Sequence, residues 1–240
     1  MKAKAFLNWS SGKDAAYTLQ LLNTLEEYKV EALVTTVNSE NNRVSMHGLR
    51  AEFLELQAEA LGLKLKTIAL NGQVSMESYN KTMQDAVSAL KTSGFTHSVF
   101  GDIFLEDLKS YRETQLQDIG ICAVFPLWKK STTQLSKEII ASGVKAIVVC
   151  VNANVLDKSF CGREYNEQFL EDLPKEVDPC GENGEFHTFV YDSPLFKHSI
   201  KFTVGDIVNK TYKAVSKGSN CHKDNTTWDT SFWYADLLPN

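Results

Sequence analysis

Along the first two-thirds of the chain, short continuous apolar runs alternate with runs whose apolar residues recur at helical spacing. Residues 4–9 form the first short run, and residues 14–22 follow with Ala15, Leu19 and Leu22 on one helical face. The same pattern predicts further strands at 31–37, 63–70, 98–101, 122–127 and 146–151 and helices at 49–61, 76–92, 105–119 and 132–142.

This regular alternation predicts a parallel sheet that is covered by helices on both faces. Ligands of such sheets bind at the carboxyl ends of the strands, often where the strand order reverses. Four segments at the carboxyl ends of predicted strands would lie along this rim, namely residues 10–14, 36–38, 101–102 and 126–128. We therefore expect the functional site on this rim.

After about residue 152 the pattern changes. Glycine, proline and acidic residues become dense, helical spacing becomes sparse, and residues 186–190 and 200–204 read as strands of a different type. A chain of 240 residues is long enough for one large domain or two small ones. We predict an α/β parallel-sheet nucleotide-binding domain at residues 1–152 and a smaller C-terminal α+β domain at residues 153–240.

The composition is that of a soluble globular protein, with 43% apolar and 23% charged residues and no apolar run of membrane-spanning length. The net charge of −5 gives no support to non-specific nucleic-acid binding. The five cysteines are odd in number and include no C-x-x-C pair, which favours a reducing compartment. We expect a cytoplasmic protein with neither membrane nor nucleic acid as a partner.

The segment SSGKD at residues 10–14 lies where the first strand should give way to a helix. Gly12 would let the backbone approach an anion, free N–H groups would point at it, and Lys13 would supply a mobile positive charge. A Walker A loop would have Ser or Thr after its lysine, whereas this chain has Asp14. The segment predicts a phosphate site, and its alternative is an ordinary turn.

The segment DPCGENGEFHT at residues 178–188 crowds carboxylates, an amide and an imidazole between glycines. Such a sequence suits a rigid loop that faces a ligand, and the alternative is a turn with solvated acids. A zinc site that combines Cys180 and His187 with Cys221 and His222 is a weaker alternative, because the spacing matches no zinc pattern.

A third segment runs from Gly101 to Glu113. Asp102 comes at the end of a predicted strand and before a helix, where it could hold a metal or a ribose, or simply cap the helix. Arg112 and Glu113 could equally form a surface pair.

Together these segments resemble the N-type ATP pyrophosphatases with a PP-loop, and within them the diphthine–ammonia ligase family. The resemblance covers essentially the whole chain and rests on SSGKD at 10–14, GDI at 101–103, RE at 112–113, FPLW at 125–128 and DPCGENGEFHT at 178–188. The chain has Ser11 and Ala15 where the family most often has glycine and serine, so one hydroxyl contact to phosphate is lost at Ala15.

The resemblance implies a reaction in which a substrate carboxylate attacks the α-phosphate of ATP. The products are an acyl-adenylate and pyrophosphate, and ammonia then displaces AMP to leave an amide. ATP and Mg²⁺ are the implied cofactors. Ammonia and a carboxylate substrate are the implied partners, the carboxylate being that of a modified histidine on a translation elongation factor. A homodimer is left open.

The resemblance also implies roles for individual residues. Those expected at the nucleotide are Ser10, Ser11, Gly12, Lys13, Asp14, Thr36, Val37, Gly101 and Asp102. Those expected to act in catalysis are Lys13, Glu182, Glu185 and His187. Those expected at the other substrates are His47, Arg50, Arg112, Glu113 and Asn183, and those nearest the metal are Asp14 and Asp102.

Two other functions stay open. The first is the same adenylating chemistry on a small-molecule carboxylate in a bacterium. The second is a module that binds ATP without turning it over, and Ala15 is its only support in the sequence.

Overall fold

The computed structural model describes residues 2–44, 48–71, 75–212 and 230–240. Its elements, in chain order, are β1 (Ala3–Asn8), α1 (Lys13–Thr24), β2 (Tyr28–Asn38), β3 (Arg43–Val44), α2 (Glu52–Leu61), β4 (Lys64–Leu70), α3 (Met76–Thr92), β5 (His97–Val99), α4 (Glu106–Gln117), β6 (Cys122–Val124), α5 (Thr132–Ala141), β7 (Lys145–Asn152), a 3-10 turn (Lys158–Phe160), α6 (Glu167–Asp172), β8 (Phe186–Asp192), β9 (Phe202–Tyr212) and β10 (Thr230–Pro239).

The first sheet is built on the apolar strand β1. Strand β1 pairs in parallel with β2 on one side and with β5 on the other, and β4 and β6 extend the two sides in parallel. Only the two-residue β3 is antiparallel, against the end of β2. The chain therefore builds outward from β1 in one direction and then crosses to β5, so the strand order reverses between β1 and β5. The predicted α/β class is confirmed.

The second sheet has the strand order β8-β7-β10-β9, and all its pairs are antiparallel. The predicted place of β7 as one more strand of the parallel sheet is wrong. Strand β7 is a continuous apolar run that is buried along almost its whole length, and such a run fits the centre of either kind of sheet. The domain boundary after residue 152 stays a prediction, and β7 pairs with strands that lie beyond it.

One apolar core extends across both sheets. It includes Leu7 and Leu33 of the first sheet together with Val148 and Phe189 of the second. The backbone also joins the two sheets, because the N–H of Val190 in β8 donates to the carbonyl of Ser11, 2.9 Å away. As a result β8 runs against the loop between β1 and α1, which we call the β1–α1 loop (residues 9–12).

Within the described ranges, no helix combines the length and the apolar character that crossing a membrane requires.

Candidate functional site

A cavity of about 630 Å³ opens at the carboxyl end of the first sheet. Its walls come from the β1–α1 loop, the start of α1, helices α3 and α4, residues 180–184 before β8, and residues 186–188 at the start of β8. The cavity thus lies at the point where the strand order reverses. A large concave site with a few convergent polar groups is the usual form of a small-molecule site.

The backbone of the β1–α1 loop is held in an unusual shape. Ser11 has a φ of 70°, a conformation that residues with a side chain rarely adopt. At Gly12 an added Cβ atom would lie 3.3 Å from the carbonyl oxygen of Thr188, so a side chain there would crowd the neighbouring strand. The N–H of Lys13 donates to the Thr188 hydroxyl at 3.1 Å. The start of α1 therefore lines the cavity, with positions that favour an anion.

A buried glutamine fixes this loop to its surroundings. Gln57 of α2 is 0% exposed. Its side-chain oxygen accepts from Trp9 Nε1 at 2.7 Å, and its amide nitrogen donates to the carbonyls of Ser11 at 3.0 Å and Val190 at 2.7 Å. One side chain thereby joins the β1–α1 loop to the second sheet.

Lys13 lines the cavity but is not the mobile surface charge that the sequence predicts. Its side chain is only 2% exposed. The ammonium group donates to Asp14 Oδ2 at 2.9 Å and to the carbonyl of Cys180. It also lies 5.1 Å from the centre of the Tyr165 ring. The prediction fails because Tyr165 and Cys180, which sequence reasoning does not place beside the β1–α1 loop, lie against the Lys13 side chain.

Charge keeps this buried lysine protonated. Burial lowers the pKa of Lys13, but the attraction of Asp14 and other nearby acidic groups outweighs it, and the pKa lies above its ordinary value. For Asp14 the balance is reversed, because burial raises its pKa by more than Lys13 lowers it.

Asp14 and Asp102 lie in the cavity wall, and each has one unsatisfied oxygen. Asp14 Oδ1 and Asp102 Oδ2 are buried and have no hydrogen-bond partner among the described residues. Arg112 Nη1 lies 3.1 Å from Asp102 Oδ2, an ion pair without hydrogen-bond alignment. Burial and the charge of Asp14 raise the pKa of Asp102, although Arg112 lowers it. Two carboxylates with unsatisfied oxygens in one cavity wall are suited to a bound cation.

The two aspartates do not form a complete metal centre by themselves. Nowhere in the described part of the chain do three Asp, Glu, His or Cys side chains converge into a metal site. Two carboxylates are a ligand set that Mg²⁺ commonly takes, with phosphate oxygens and water completing its shell. Among the residues of the zinc alternative, the Cys180 thiol donates to the Thr132 carbonyl, 3.4 Å away. Cys221 and His222 lie outside the described residues.

Glu182 joins the two halves of the cavity wall. Its Oε1 accepts from the N–H groups of Ile103 at 2.7 Å and Phe104 at 3.3 Å. Burial raises the pKa of Glu182 to about 7; these two hydrogen bonds lower it, while Asp14 and Asp102 raise it further. A carboxyl group with a pKa near neutrality can exchange protons at working pH.

Other predicted residues also lie in the cavity wall. Burial, followed by the charge of Lys13, lowers the pKa of His187 to about 4, so its imidazole is neutral at pH 7. The remaining predicted residues in the wall are Ser10, Gly12, Thr36, Gly101, Arg112 and Asn183. At Gly101 an added Cβ atom would lie 3.1 Å from the Asp14 carbonyl carbon, which explains the glycine.

The structure places five predicted residues away from the cavity wall. Ser11 and Val37 are buried, Glu113 pairs with Lys109 on the surface, and Arg50 pairs with Asp236 of β10. Glu185 lines a different cavity instead. His47, another predicted substrate residue, lies outside the described residues.

Sequence reasoning missed much of the wall. Asn8 at the end of β1 donates to Ser98 and to the carbonyl of Val99, and it faces the cavity where the strand order reverses. Helices α3 and α4 contribute a mainly apolar wall made of Tyr79, Met83, Val87, Leu108, Tyr111 and Leu116. The helical spacing of these apolar residues is visible in the sequence, but the same spacing is typical of helices that pack against a hydrophobic core.

Comparison with known proteins agrees with this architecture. Family models described as the diphthamide synthase N-terminal domain and the diphthamide synthase C-terminal domain match residues 1–123 and 131–221. A mouse protein named diphthine–ammonia ligase is 28% identical over 214 residues, which are 80% of this chain and 79% of the mouse protein.

Two further relatives carry the same name. The Schizosaccharomyces pombe protein is 32% identical over 143 residues, 55% of this chain and 24% of that protein. The human protein is 28% identical over 170 residues, 65% of this chain and 64% of the human protein. The matched segment thus spans about a quarter of the yeast relative and about two-thirds or more of the other two.

Proposed function

Because the chain belongs to the diphthamide synthase family, a family of ligases, we propose that it is an ATP-dependent amide ligase of the diphthine–ammonia type. In this proposal a carboxylate oxygen of the substrate attacks the α-phosphorus of ATP, and the bond to the β-phosphate breaks. The nitrogen of ammonia then attacks the carbonyl carbon of the acyl-adenylate, the bond to AMP breaks, and an amide remains.

The observation that carries the proposal is the single cavity shared by the β1–α1 loop and residues 180–188. The start of α1 supplies positions that favour phosphate, and the second segment supplies Glu182, a carboxyl group that can exchange protons near neutrality. A cavity of about 630 Å³ falls within the range of small-molecule sites. An enzyme that joins a nucleotide to a second substrate needs both in one enclosed space, because positioning supplies much of the rate.

We assign the nucleotide to the side of the cavity formed by Ser10, Gly12, Thr36 and Gly101. Lys13 is held charged at the same place, where it would offset the negative charge that develops on the departing pyrophosphate. Asp14 and Asp102 would hold Mg²⁺ through their unsatisfied oxygens. When bound, Mg²⁺ would supply further charge neutralisation at the phosphates.

We assign the amide-forming step to the side of residues 182–187. Glu182 would accept the proton that ammonia loses as the new bond forms, because its pKa of about 7 suits a general base near neutrality. His187, whose imidazole is neutral, would hold a substrate group by hydrogen bonding. Arg112 and Asn183, in the same wall, would orient the substrate carboxylate.

For the substrate we propose the carboxylate of diphthine, a modified histidine of an elongation factor, as the names of the relatives suggest. The purified protein would be incubated with ATP, Mg²⁺, ammonium and an elongation factor that carries diphthine, and the nucleotides would be separated by chromatography. We expect AMP and pyrophosphate in equal amounts; ADP as the main product would contradict the proposal.

Two variants make this test specific. Glu182→Gln keeps an oxygen for the N–H groups of Ile103 and Phe104 but cannot accept a proton, so it should bind ATP normally and lose amide formation. Lys145→Ala, at an exposed ion pair with Asp192, is the matched control and should keep full activity. Bound ATP without any turnover would favour the non-catalytic alternative, and turnover only with small carboxylates would favour the small-molecule alternative.

A further inference from the structure

A second cavity, of about 360 Å³, adjoins the segment between α6 and β8. Its lining residues are Asn152, Val155, Pro174, Glu176, Val177, Asn183 and Glu185. Two of these carry carboxylates, two carry amides, and none carries a positive charge. Asn183 also lines the larger cavity, so the two cavities share one wall residue.

Glu185 is the buried polar group of this second cavity. Its residue is 7% exposed. Its Oε1 accepts from the Asp178 N–H at 3.1 Å and from the Asn183 amide at 3.0 Å. Its own carbonyl accepts from the Asn152 N–H at 2.8 Å, which fixes the backbone at this position. The carboxylate therefore has a defined direction.

The other oxygen of this carboxylate has no donor. Glu185 Oε2 is buried and lacks a hydrogen-bond partner anywhere in the described ranges. A buried carboxylate oxygen that is left unpaired is costly, so this position calls for a ligand that donates hydrogen bonds and preferably carries positive charge. Anions are disfavoured by Glu176 and Glu185, and the described residues offer no third Asp, Glu, His or Cys ligand for a protein-only metal site.

We propose that this second cavity binds ammonium ion at Glu185 Oε2, as the place where the nitrogen donor is collected before amide formation. The choice of ammonium rests on the proposed function, because that reaction consumes ammonia. Ammonium is small, carries one positive charge and offers four N–H donors. Asn183 connects the site to the larger cavity, because its side chain donates to Glu185 and its residue lines both spaces.

The direct test is thermal unfolding of the 240-residue chain without nucleotide, in increasing ammonium chloride. Sodium chloride and tetramethylammonium chloride at equal concentrations are the salt controls, because neither cation donates a hydrogen bond. A ligand that binds only the folded state raises the melting temperature, and above its Kd the stabilisation grows with the logarithm of the ligand concentration. We expect such a rise with ammonium alone, and an equal response to all three salts would overturn the proposal.

Three variants locate the effect. Glu185→Gln has nearly the same shape but no charge, and it should abolish the ammonium-specific rise. Val155→Phe narrows the same cavity at a position that is 45% exposed, so it provides the test if Glu185→Gln does not fold. Glu176→Gln removes the other, exposed carboxylate of this cavity and should keep at least half of the rise. A full ammonium-specific rise in Glu185→Gln or in Val155→Phe would contradict the proposal.

Turnover gives a second readout. In the amide-forming assay, Glu185→Gln should raise the KM for ammonium at least tenfold and change the KM for ATP less than twofold. An unchanged KM for ammonium in an active enzyme would overturn the site. If the wild-type protein forms no AMP at all, the proposed function fails, and the melting experiment still decides whether ammonium binds here.

Discussion

The ammonium group of Lys13 is buried between its neighbour in α1 and residues from the C-terminal part of the chain. Asp14 supplies the counter-charge, Cys180 supplies a carbonyl, and Tyr165 and Phe186 place ring faces 5.1 and 5.3 Å away. We expect Lys13→Ala to lower the free energy of unfolding by about 3 kcal/mol, because the partly buried carboxylate of Asp14 then loses its counter-charge. Its melting temperature should fall by roughly 6–12 °C.

Circular dichroism melting without nucleotide measures this effect, and Lys145→Ala is the control. Lys145 pairs with Asp192 in a solvent-exposed ion pair, so its removal should change the free energy of unfolding by less than about 1 kcal/mol. Equal melting temperatures for Lys13→Ala and Lys145→Ala would show that the burial of Lys13 contributes nothing to stability.

Glu182 should make the stability of the protein depend on pH. Its pKa is raised from about 4.5 to about 7 in the folded state, chiefly by burial. A raised pKa means that the folded state holds its proton more tightly, so the associated stability is complete below pH 4.5 and is lost as pH rises through 7. The full shift corresponds to about 3 kcal/mol, which water in the open cavity would reduce to about 2.

The variant Glu182→Gln cannot ionise, so it isolates this contribution. Relative to the wild type, its free energy of unfolding, measured by urea denaturation, should increase by about 2 kcal/mol between pH 5 and pH 8, because only the wild type loses stability as Glu182 ionises. The comparison cancels the titration of Asp14 and Asp102 to a first approximation, because both proteins carry them. A constant difference across this pH range would show that Glu182 ionises as freely in the folded state as in the unfolded chain.

At the scale of elements, helix α2 acts as the support of the β1–α1 loop. Gln57 makes hydrogen bonds to Trp9 and Ser11 of this loop and to Val190 of β8. Ser11 is the residue with the left-handed backbone conformation. We expect Gln57→Leu to lower the free energy of unfolding by about 3 kcal/mol, because the buried Trp9 Nε1 loses its acceptor and the carbonyls of Ser11 and Val190 each lose a donor. ATP affinity should fall as well, because the loop is no longer fixed.

Urea unfolding and calorimetric titration with a non-hydrolysable ATP analogue would measure the two effects of Gln57→Leu. Glu59→Ala, at an exposed position of the same helix, is the matched control and should change stability by less than about 0.5 kcal/mol. Loss of stability with unchanged ATP affinity would mean that the β1–α1 loop keeps its shape without Gln57.

Elements with regular apolar spacing could be predicted from the sequence nearly to the residue. The predicted helix at 76–92 is α3, which begins after Ser75, whose hydroxyl accepts from the Ser78 N–H. Strand β10 was missed, and β7 was assigned to the wrong sheet, because their pairing depends on partners distant in the sequence. A local pattern gives the periodicity of an element but not its neighbour.

The candidate site could likewise be predicted from the sequence only in part. The rim of the parallel sheet and the segment of residues 178–188 could be predicted from motifs, and the structure brings them to one cavity. Which cavity each carboxylate reaches could not be predicted, because it depends on the course of this segment through Gly181 and Gly184, both with positive φ. Thus Glu182 faces the larger cavity, whereas Glu185, three residues on, faces the second one.

At the scale of the whole molecule, the contacts between the two sheets are extensive. They include the common core, the backbone bond from Val190 to Ser11, and the buried groups around Lys13 and Gln57. At the far edge, Asp236 of β10 accepts from Arg43 and Arg50 of the N-terminal half. We therefore propose that the segments before and after the predicted boundary at residue 152 unfold together and not as independent domains.

The expected result is one cooperative unfolding transition for both sheets. Pulse-labelling hydrogen exchange with mass spectrometry, at increasing urea, would follow peptides from β1 and β2 alongside peptides from β7 and β10. Their midpoints should coincide within about 0.3 M urea. In Lys13→Ala both sets should shift together to lower urea, because Lys13 contacts groups on both sides of the boundary. If the second sheet instead opens well before the first, the sheets are separate folding units, and the cavity between them would have to form by docking.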